Sequence, residues 1–450
     1  MRKPQALSRR NLLKSAAGAA LLAPFIVSSS ALGAGGRPAA SNRIGIAHIG
    51  TGGRGSGLMG GFLGNGEVQV LGVCDVDDAR IDRAKKRVDG AYSQQAPGTY
   101  AGCKDYRDFR EILDRPDIDG VVIATPDHWH GLLTTMAAKA GKDVYCEKPM
   151  ASTIGDGRAA ADAIKRYGRV FQTGSQERST GTTRYACELV RNGRLGKIHT
   201  IRTWLPTGDM RSGATGPEPV PEGFDYDRWL GPAPWAPYHS RRCHGNFRWI
   251  MDYSDGELTD RGAHVNDIAL LGAGPLLVGP VEIEGRGTFL TDPLWNVPYE
   301  YHIEFTYANG LKIIVDSGDA PTNAICNVTK ANRGIQFEGT EGWVFVAVHG
   351  GALAADPPGL LKSVIGAGEV NLGRSRGHGP DWVNAIRTRG PTMAPAEDGH
   401  RTASFCHLCL TACLLRRKLK WDLVQEKFIN DDQANRMMPV FRPARAPWLF

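Results

Sequence analysis

An α/β chain is predicted, with a doubly wound parallel sheet in its N-terminal part and, after it, an α+β domain built on a large, open, mainly antiparallel sheet. Three observations predict it. A short apolar strand runs into a glycine-rich turn over Arg43–Gly55, apolar runs then alternate with helical patterns as far as Cys146, and beyond Leu270 strand-like stretches follow one another.

A length of 450 residues exceeds what one core usually serves, so two domains are expected, at 43–170 and 171–450. The composition, 42% hydrophobic and 22% charged, is that of a globular protein. The formal charge of +7 is concentrated at the start. Six of the 54 basic residues and none of the 47 acids lie in 1–40, which leaves 48 bases against 47 acids. A near-neutral remainder carries no chain-wide footprint for nucleic acid or anionic lipid.

The leader, 1–34, reads as a twin-arginine signal for export of a folded protein. Ser8-Arg9-Arg10-Asn11-Leu12-Leu13-Lys14 precedes an apolar run from Ala16 to Val27. That run is too short to span a bilayer. Small residues near Ala31 and Ala34 suit cleavage, and 35–42 reads as a flexible stub. The expected location is periplasmic or otherwise exported, and nothing later in the chain resembles a transmembrane helix.

The first strand ends at Gly50, and Gly50, Gly52 and Gly55 have the spacing of a dinucleotide turn opening a helix. A second strand, Val68–Cys74, ends at Asp75, 25 residues beyond Gly50. A carboxylate there meets the adenosine ribose hydroxyls and repels a 2′-phosphate, so a Rossmann unit preferring NAD over NADP is expected, its pyrophosphate against the helix N-terminus. Helices are expected at 78–88, 105–113 and 131–140, with strands at 120–125 and 144–146.

Polar clusters follow the strand ends: Thr125-Pro126-Asp127-His128-Trp129-His130, then Glu147-Lys148-Pro149. Ligands of open parallel sheets sit there. His128 and His130 read either as crevice residues or as helix-start histidines bonded to backbone. Asp260 and His264 stand four apart, hence on one helical face, which suits a carboxylate orienting an imidazole toward a substrate hydroxyl. An N-cap aspartate beside a core histidine is the plainer alternative.

Nine scattered cysteines do not form a disulfide scaffold. Cys406, Cys409 and Cys413 read as the buried face of a helix over 401–418. A metal cluster with His400 and His407 is the alternative, and no metal is expected. The Pro- and Gly-rich stretch Pro206–Pro237 is too long for a plain connector and reads as a loop over the pocket. After it, Arg241, Arg242, His244, Arg248 and Trp249 offer donors and a stacking face for a sugar, or are basic surface residues. Strands are expected at 281–284, 301–307, 311–315 and 343–348.

The glycine turn, Asp75, Thr-Pro-x-His-x-His and Cys146-Glu147-Lys148-Pro149-Met150 together resemble the glucose-fructose oxidoreductase, inositol dehydrogenase and rhizopine-catabolism (Gfo/Idh/MocA) family. The likeness covers nearly the whole chain after the leader. Trp229-Leu-Gly-Pro-Ala-Pro-Trp-Ala-Pro-Tyr238, Phe247-Arg248-Trp249 and the C-terminal Lys420-Trp421-Asp422, Ala434-Asn435-Arg436 and Pro447-Trp448 resemble its exported branch. One departure is Asp127, where the family pattern has Asn.

The resemblance implies that Gly50, Thr51, Gly52, Gly53, Arg54, Gly55, Asp75, Thr125, Pro126, His128, His130, Glu147, Lys148 and Gln176 hold the cofactor. It implies a catalytic trio of Lys148, Asp260 and His264, with Tyr238, Arg248 and Trp249 joining Lys148 and His264 at the substrate. It further implies a homodimer or homotetramer formed through the exposed face of the second sheet. The expected activity is hydride transfer between NAD and a secondary hydroxyl of a sugar, glycoside or polyol. Two other readings stay open: NAD-dependent glycoside cleavage through transient oxidation, and a non-catalytic sugar sensor that keeps the nucleotide as structure.

Overall fold

The computed structural model describes residues 38–39, 42–94, 102–208, 211–318 and 333–448. The twin-arginine leader, most of the stub and Cys326 lie outside the described residues. The chain divides into two units after Arg43. In the first, Arg43 Nε donates to the Pro38 carbonyl at 2.9 Å.

The second unit holds two sheets. Six strands, β1 (Ile44–Ile49), β2 (Val68–Cys74), β3 (Lys104–Tyr106), β4 (Gly120–Ile123), β5 (Asp143–Cys146) and β6 (Phe171–Thr173), lie in the order 3-2-1-4-5-6. All their pairings are parallel. β1, β4 and β5 are buried along their whole length, which is why they read as mainly apolar runs, broken only by His48 in β1 and Asp143 at the start of β5. The order reverses between β1 and β4, where an open α/β sheet parts to admit a ligand.

Two expected helices shift. The stretch 105–113 divides into β3 and a short helix Phe109–Leu113, because Asp108 caps that helix by accepting from Arg110 N–H. The helix expected at 131–140 starts at Asp127, immediately after Pro126. Proline has a preset φ and no N–H to lose at a helix start, so Asp127 to His130 form the first helical turn and not a loop.

The second sheet has nine strands in the order 13-12-11-7-10-9-8-14-15: β7 (Ile198–Leu205), β8 (Val281–Phe289), β9 (Pro298–Thr306), β10 (Lys312–Ser317), β11 (Gly334–Gly339), β12 (Gly342–Ala347), β13 (Leu353–Asp356), β14 (Leu419–Asp422) and β15 (Lys427–Phe428). Its pairings are antiparallel except β7 with β10. The helix Ala396–Leu415 packs on this sheet, with Phe405 stacked on Phe305 at 4.1 Å. Cys406, Cys409 and Cys413 are buried and free on that helix. No group of His, Cys, Asp and Glu suited to a metal occurs among the described residues.

The chain returns to the first sheet. Trp382, Val383 and Ile386, on the helix His378–Thr388, complete the core on one of its faces, and Trp448 completes the other. β6 also lies beyond position 170. The first layer is therefore finished by residues from the far end of the sequence.

Candidate active site

A cavity of about 580 Å³ opens outside the carboxyl ends of β1, β4 and β5, within the size range of small-molecule sites. The glycine turn forms one end. Gly50 has φ +85, and a Cβ there would lie 2.6 Å from the Ala124 carbonyl oxygen. A Cβ on Gly55 would meet the Gly50 carbonyl at 2.0 Å, so the helix start is pressed onto the strand end. The helix Gly53–Leu63 has no side-chain cap and no acid in its first turn. Its first amides are thus free to receive an anion, the requirement of a pyrophosphate.

Asp75 lines the cavity and also clamps this turn. Its Oδ2 accepts from Thr51 N–H at 2.8 Å and from Thr51 Oγ1 at 3.1 Å, and its Oδ1 accepts from Val76 N–H at 2.8 Å. Gly50, Gly52, Gly53 and Arg54 line the cavity, whereas Thr51 and Gly55 build the turn behind them. Arg54 crosses to the next strand ends: its Nε donates to Glu147 at 2.7 Å and its guanidinium to Gln176 at 3.0 Å. Thr125, Pro126, Glu147 and Gln176 also line the cavity.

At the other end Lys148 Nζ donates to Asp260 Oδ1 at 2.6 Å and to the Asp260 carbonyl at 2.7 Å. Arg248 Nε lies 3.0 Å from the same carboxylate oxygen. Burial disfavours the charged carboxylate, but Lys148 and then Arg248 outweigh it and hold Asp260 well below the usual range. The expectation that Asp260 orients His264 is corrected here. The helix breaks at Arg261 into Glu257–Asp260 and Gly262–Ala273, and Asp260 turns to the two cations. His264 also lines the cavity, buried, with its Nδ1 unpartnered among the described residues. Burial, and next the charge of Lys148, keep it neutral far below its ordinary value.

His128, Tyr238 and Trp249 are not brought to the cavity. Two residues apart on a helix means about 200° around the axis, so His128 and His130 point opposite ways once both are helical. His128 Nε2 lies 3.0 Å from the Trp229 carbonyl, its ring against Tyr253. His130 faces the cavity, but its ring nitrogens lie 2.6 Å and 2.9 Å from the Pro149 and Thr125 carbonyls, stapling the two polar loops together. Tyr238 packs on Tyr226, and Trp249 on Trp295, in a separate aromatic cluster. Of the remaining basic candidates, His244 and Arg248 line the cavity.

The sequence assigned no site role to His349 or to Trp448, which marked only the branch resemblance, yet both stand on the cavity wall. His349 follows β12 at φ +62 and sets its ring 4.5 Å from that of His264. The Gly350-Gly351 pair after a strand signals a tight turn, but not its destination. Trp448 packs on Trp129 at 5.0 Å, a contact between distant parts of the chain that no local pattern announces.

Glycine turn, switch-point cavity and a lysine–carboxylate pair beside a neutral imidazole define the class of dinucleotide-binding oxidoreductase folds. Residues 44–175 match the family model "Oxidoreductase family, NAD-binding Rossmann fold", and 210–450 match "Oxidoreductase family, C-terminal alpha/beta domain". The chain belongs to the Gfo/Idh/MocA family of oxidoreductases. It is 39% identical over 95 residues to levoglucosan dehydrogenase of Pseudarthrobacter phenanthrenivorans, covering 21% of this chain and 24% of that protein. It is 29% identical over 240 residues to a glycosyl hydrolase family 109 protein of Stenotrophomonas maltophilia, half of each chain. The matches span at most half the length of these curated relatives. In fold it resembles the aldose-aldose oxidoreductase of Caulobacter crescentus crystallised with glycerol, with TM-score 0.59 and 19% identity over 84% of this chain and 99% of that one.

Proposed function

We propose that the protein is an NAD-dependent oxidoreductase that moves a hydride between nicotinamide and a secondary hydroxyl of a sugar, glycoside or polyol. The observation that carries this reading is that one cavity joins the open helix N-terminus at Gly53 to the Lys148–Asp260 pair and His264. Bound NAD would supply the hydride acceptor. The amides after Gly52 and the Asp75 carboxylate would hold its pyrophosphate and adenosine ribose, and the carboxylate favours NAD over NADP. Lys148 has three N–H donors and gives two to Asp260, which leaves one for the substrate oxygen. That donor polarises the hydroxyl and stabilises a developing alkoxide. His264, neutral and with a free ring nitrogen, orients the same hydroxyl.

The test begins with the purified protein. Mass spectrometry after denaturation reads bound NAD(H), and a panel of sugars and polyols is then screened for reduction of that cofactor. Reduction by at least one sugar is expected; its absence across the panel overturns the reading. A second reading, NAD-dependent glycoside cleavage, is favoured by the family 109 relative. Chromophore release from a nitrophenyl glycoside without NADH accumulation selects it.

We also propose export through the twin arginines, with a periplasmic or exported location, and a homodimer or homotetramer formed through the open face of the nine-stranded sheet. No helix of the described residues is long and apolar enough to cross a membrane. Cell fractionation of an Arg9→Lys, Arg10→Lys variant tests export, and light scattering tests assembly.

A further inference from the structure

We infer that Asp127 is the proton acceptor of the alcohol oxidation, a catalytic residue beside Lys148. This rests on the dehydrogenase reading above. Asp127 opens the helix that follows β4, and its buried carboxyl lines the cavity where Lys148, Arg248 and Asp260 converge. Oδ2 accepts from Ser254 Oγ–H at 2.6 Å. Ser254 Oγ is in turn 3.1 Å from Thr259 Oγ1, which accepts from Asp255 N–H at 3.0 Å. The carboxyl is therefore held by one oxygen, and Oδ1 has no hydrogen-bond partner among the described residues.

Asp260, His130 and His264, which also line this end of the cavity, are less suited. Asp260 is locked ionised between two cations, His130 is spent on two carbonyls, and burial, then the charge of Lys148, lower His264 and make it a weak base. Asp127 is different. Burial raises its carboxyl and Asp260 adds to this, while the Ser254 hydrogen bond and the charges of Lys148 and Arg248 oppose them; the balance is about 7. Two further titratable groups stand outside the cavity lining: Cys146, from β5, whose thiol burial keeps protonated, and Glu257, whose carboxyl burial and then Asp260 raise to about 7. A base that titrates near neutral pH is the one best matched to this proton transfer.

In the step, the substrate O–H bond breaks and its proton passes to Asp127 Oδ1. The carbinol C–H bond breaks, its electron pair leaving as hydride to the oxidised nicotinamide of NAD, and the C=O bond forms. The substrate loses two electrons and the nicotinamide gains them. Lys148 keeps its proton throughout, and Asp127 later returns its own to solvent.

Three forms of the full chain loaded with NAD test this: wild type, Asp127→Asn and Ser254→Ala. In wild type, kcat/KM for oxidation should rise with pH through a limb near 7, as Asp127 loses its proton. The infrared carboxylic-acid C=O band of Asp127, read as the wild-type minus Asp127→Asn difference and so separated from that of Glu257, should disappear over the same range, whether or not substrate is present. Asp127→Asn keeps the acceptor for Ser254 but should lose both limb and band, with the rate falling roughly 10²–10⁴-fold. Ser254→Ala removes a bond that favours the ionised form, so limb and band should both move to higher pH. Oxidation that persists in Asp127→Asn with its limb intact overturns this inference alone. No sugar-dependent reduction of the cofactor by wild type overturns the dehydrogenase reading and this step with it.

Discussion

Asp75 does two things with one carboxylate, and that makes its substitution informative. The sequence places it by spacing alone, at the end of the second strand, where only its reach toward a ribose is legible. The structure adds that it accepts from Thr51 and Val76 and so fixes the glycine turn. Asp75→Ser should therefore weaken both dinucleotides while narrowing the NAD over NADP preference by roughly tenfold, about 1.4 kcal/mol. Fluorescence titration of each nucleotide measures it, and an unchanged ratio would mean that Asp75 serves the turn only. Lys148, Asp260 and His264 were legible because chemistry-bearing residues at strand ends stand out. The difference between His128 and His130 was not, since it depends on whether the helix starts before or after them.

Among the elements, the helix Ala396–Leu415 does most to tie the site together. The cysteine spacing identified its buried face, but His407 read as a neighbour of that stripe or as part of a metal cluster. In the structure His407 Nδ1 lies 2.6 Å from Asp255 Oδ2 and its Nε2 3.1 Å from the Ala151 carbonyl. Ala151 follows Lys148 by three residues and Asp255 precedes Asp260 by five, so one buried ring anchors the segments that carry Lys148 and Asp260. Burial opposes the imidazolium, yet the charge and hydrogen bond of Asp255 raise His407 above its ordinary value. A raised histidine stabilises the fold fully below its unfolded value of about 6.5, and that contribution is lost as pH rises through the folded value. His407→Leu leaves Asp255 buried without its partner and should cost about 3–5 kcal/mol. Urea unfolding at several pH values should find the deficit largest in acid and smaller in alkali. A deficit independent of pH would mean that His407 is neutral in the folded protein.

For the whole molecule, the division expected at 170 is crossed by the chain itself. An amphipathic helix looks the same in sequence whichever sheet it covers, so nothing local shows that His378–Thr388 returns to the first layer. Trp382 is fully buried there, its ring edge-on to Tyr145 at 5.9 Å and to Phe62 at 5.6 Å. A Cβ on Gly120 would come within 3.1 Å of it, so this glycine in β4 makes room for the indole. A chain closed in this way has to finish synthesis before its dinucleotide-binding layer is complete. Trp382→Ala should cost about 3–5 kcal/mol, a large fraction of the roughly 5–15 kcal/mol that holds a typical domain. Because β1, β4 and β5 carry the cavity, NAD affinity should fall in the same variant, although Trp382 does not line it. Calorimetry should find one transition for residues 43–448, shifted down by the substitution, and none for residues 43–170 expressed alone. Two independent transitions, with NAD binding retained by the 43–170 fragment, would instead mean that the first layer folds without its C-terminal cover.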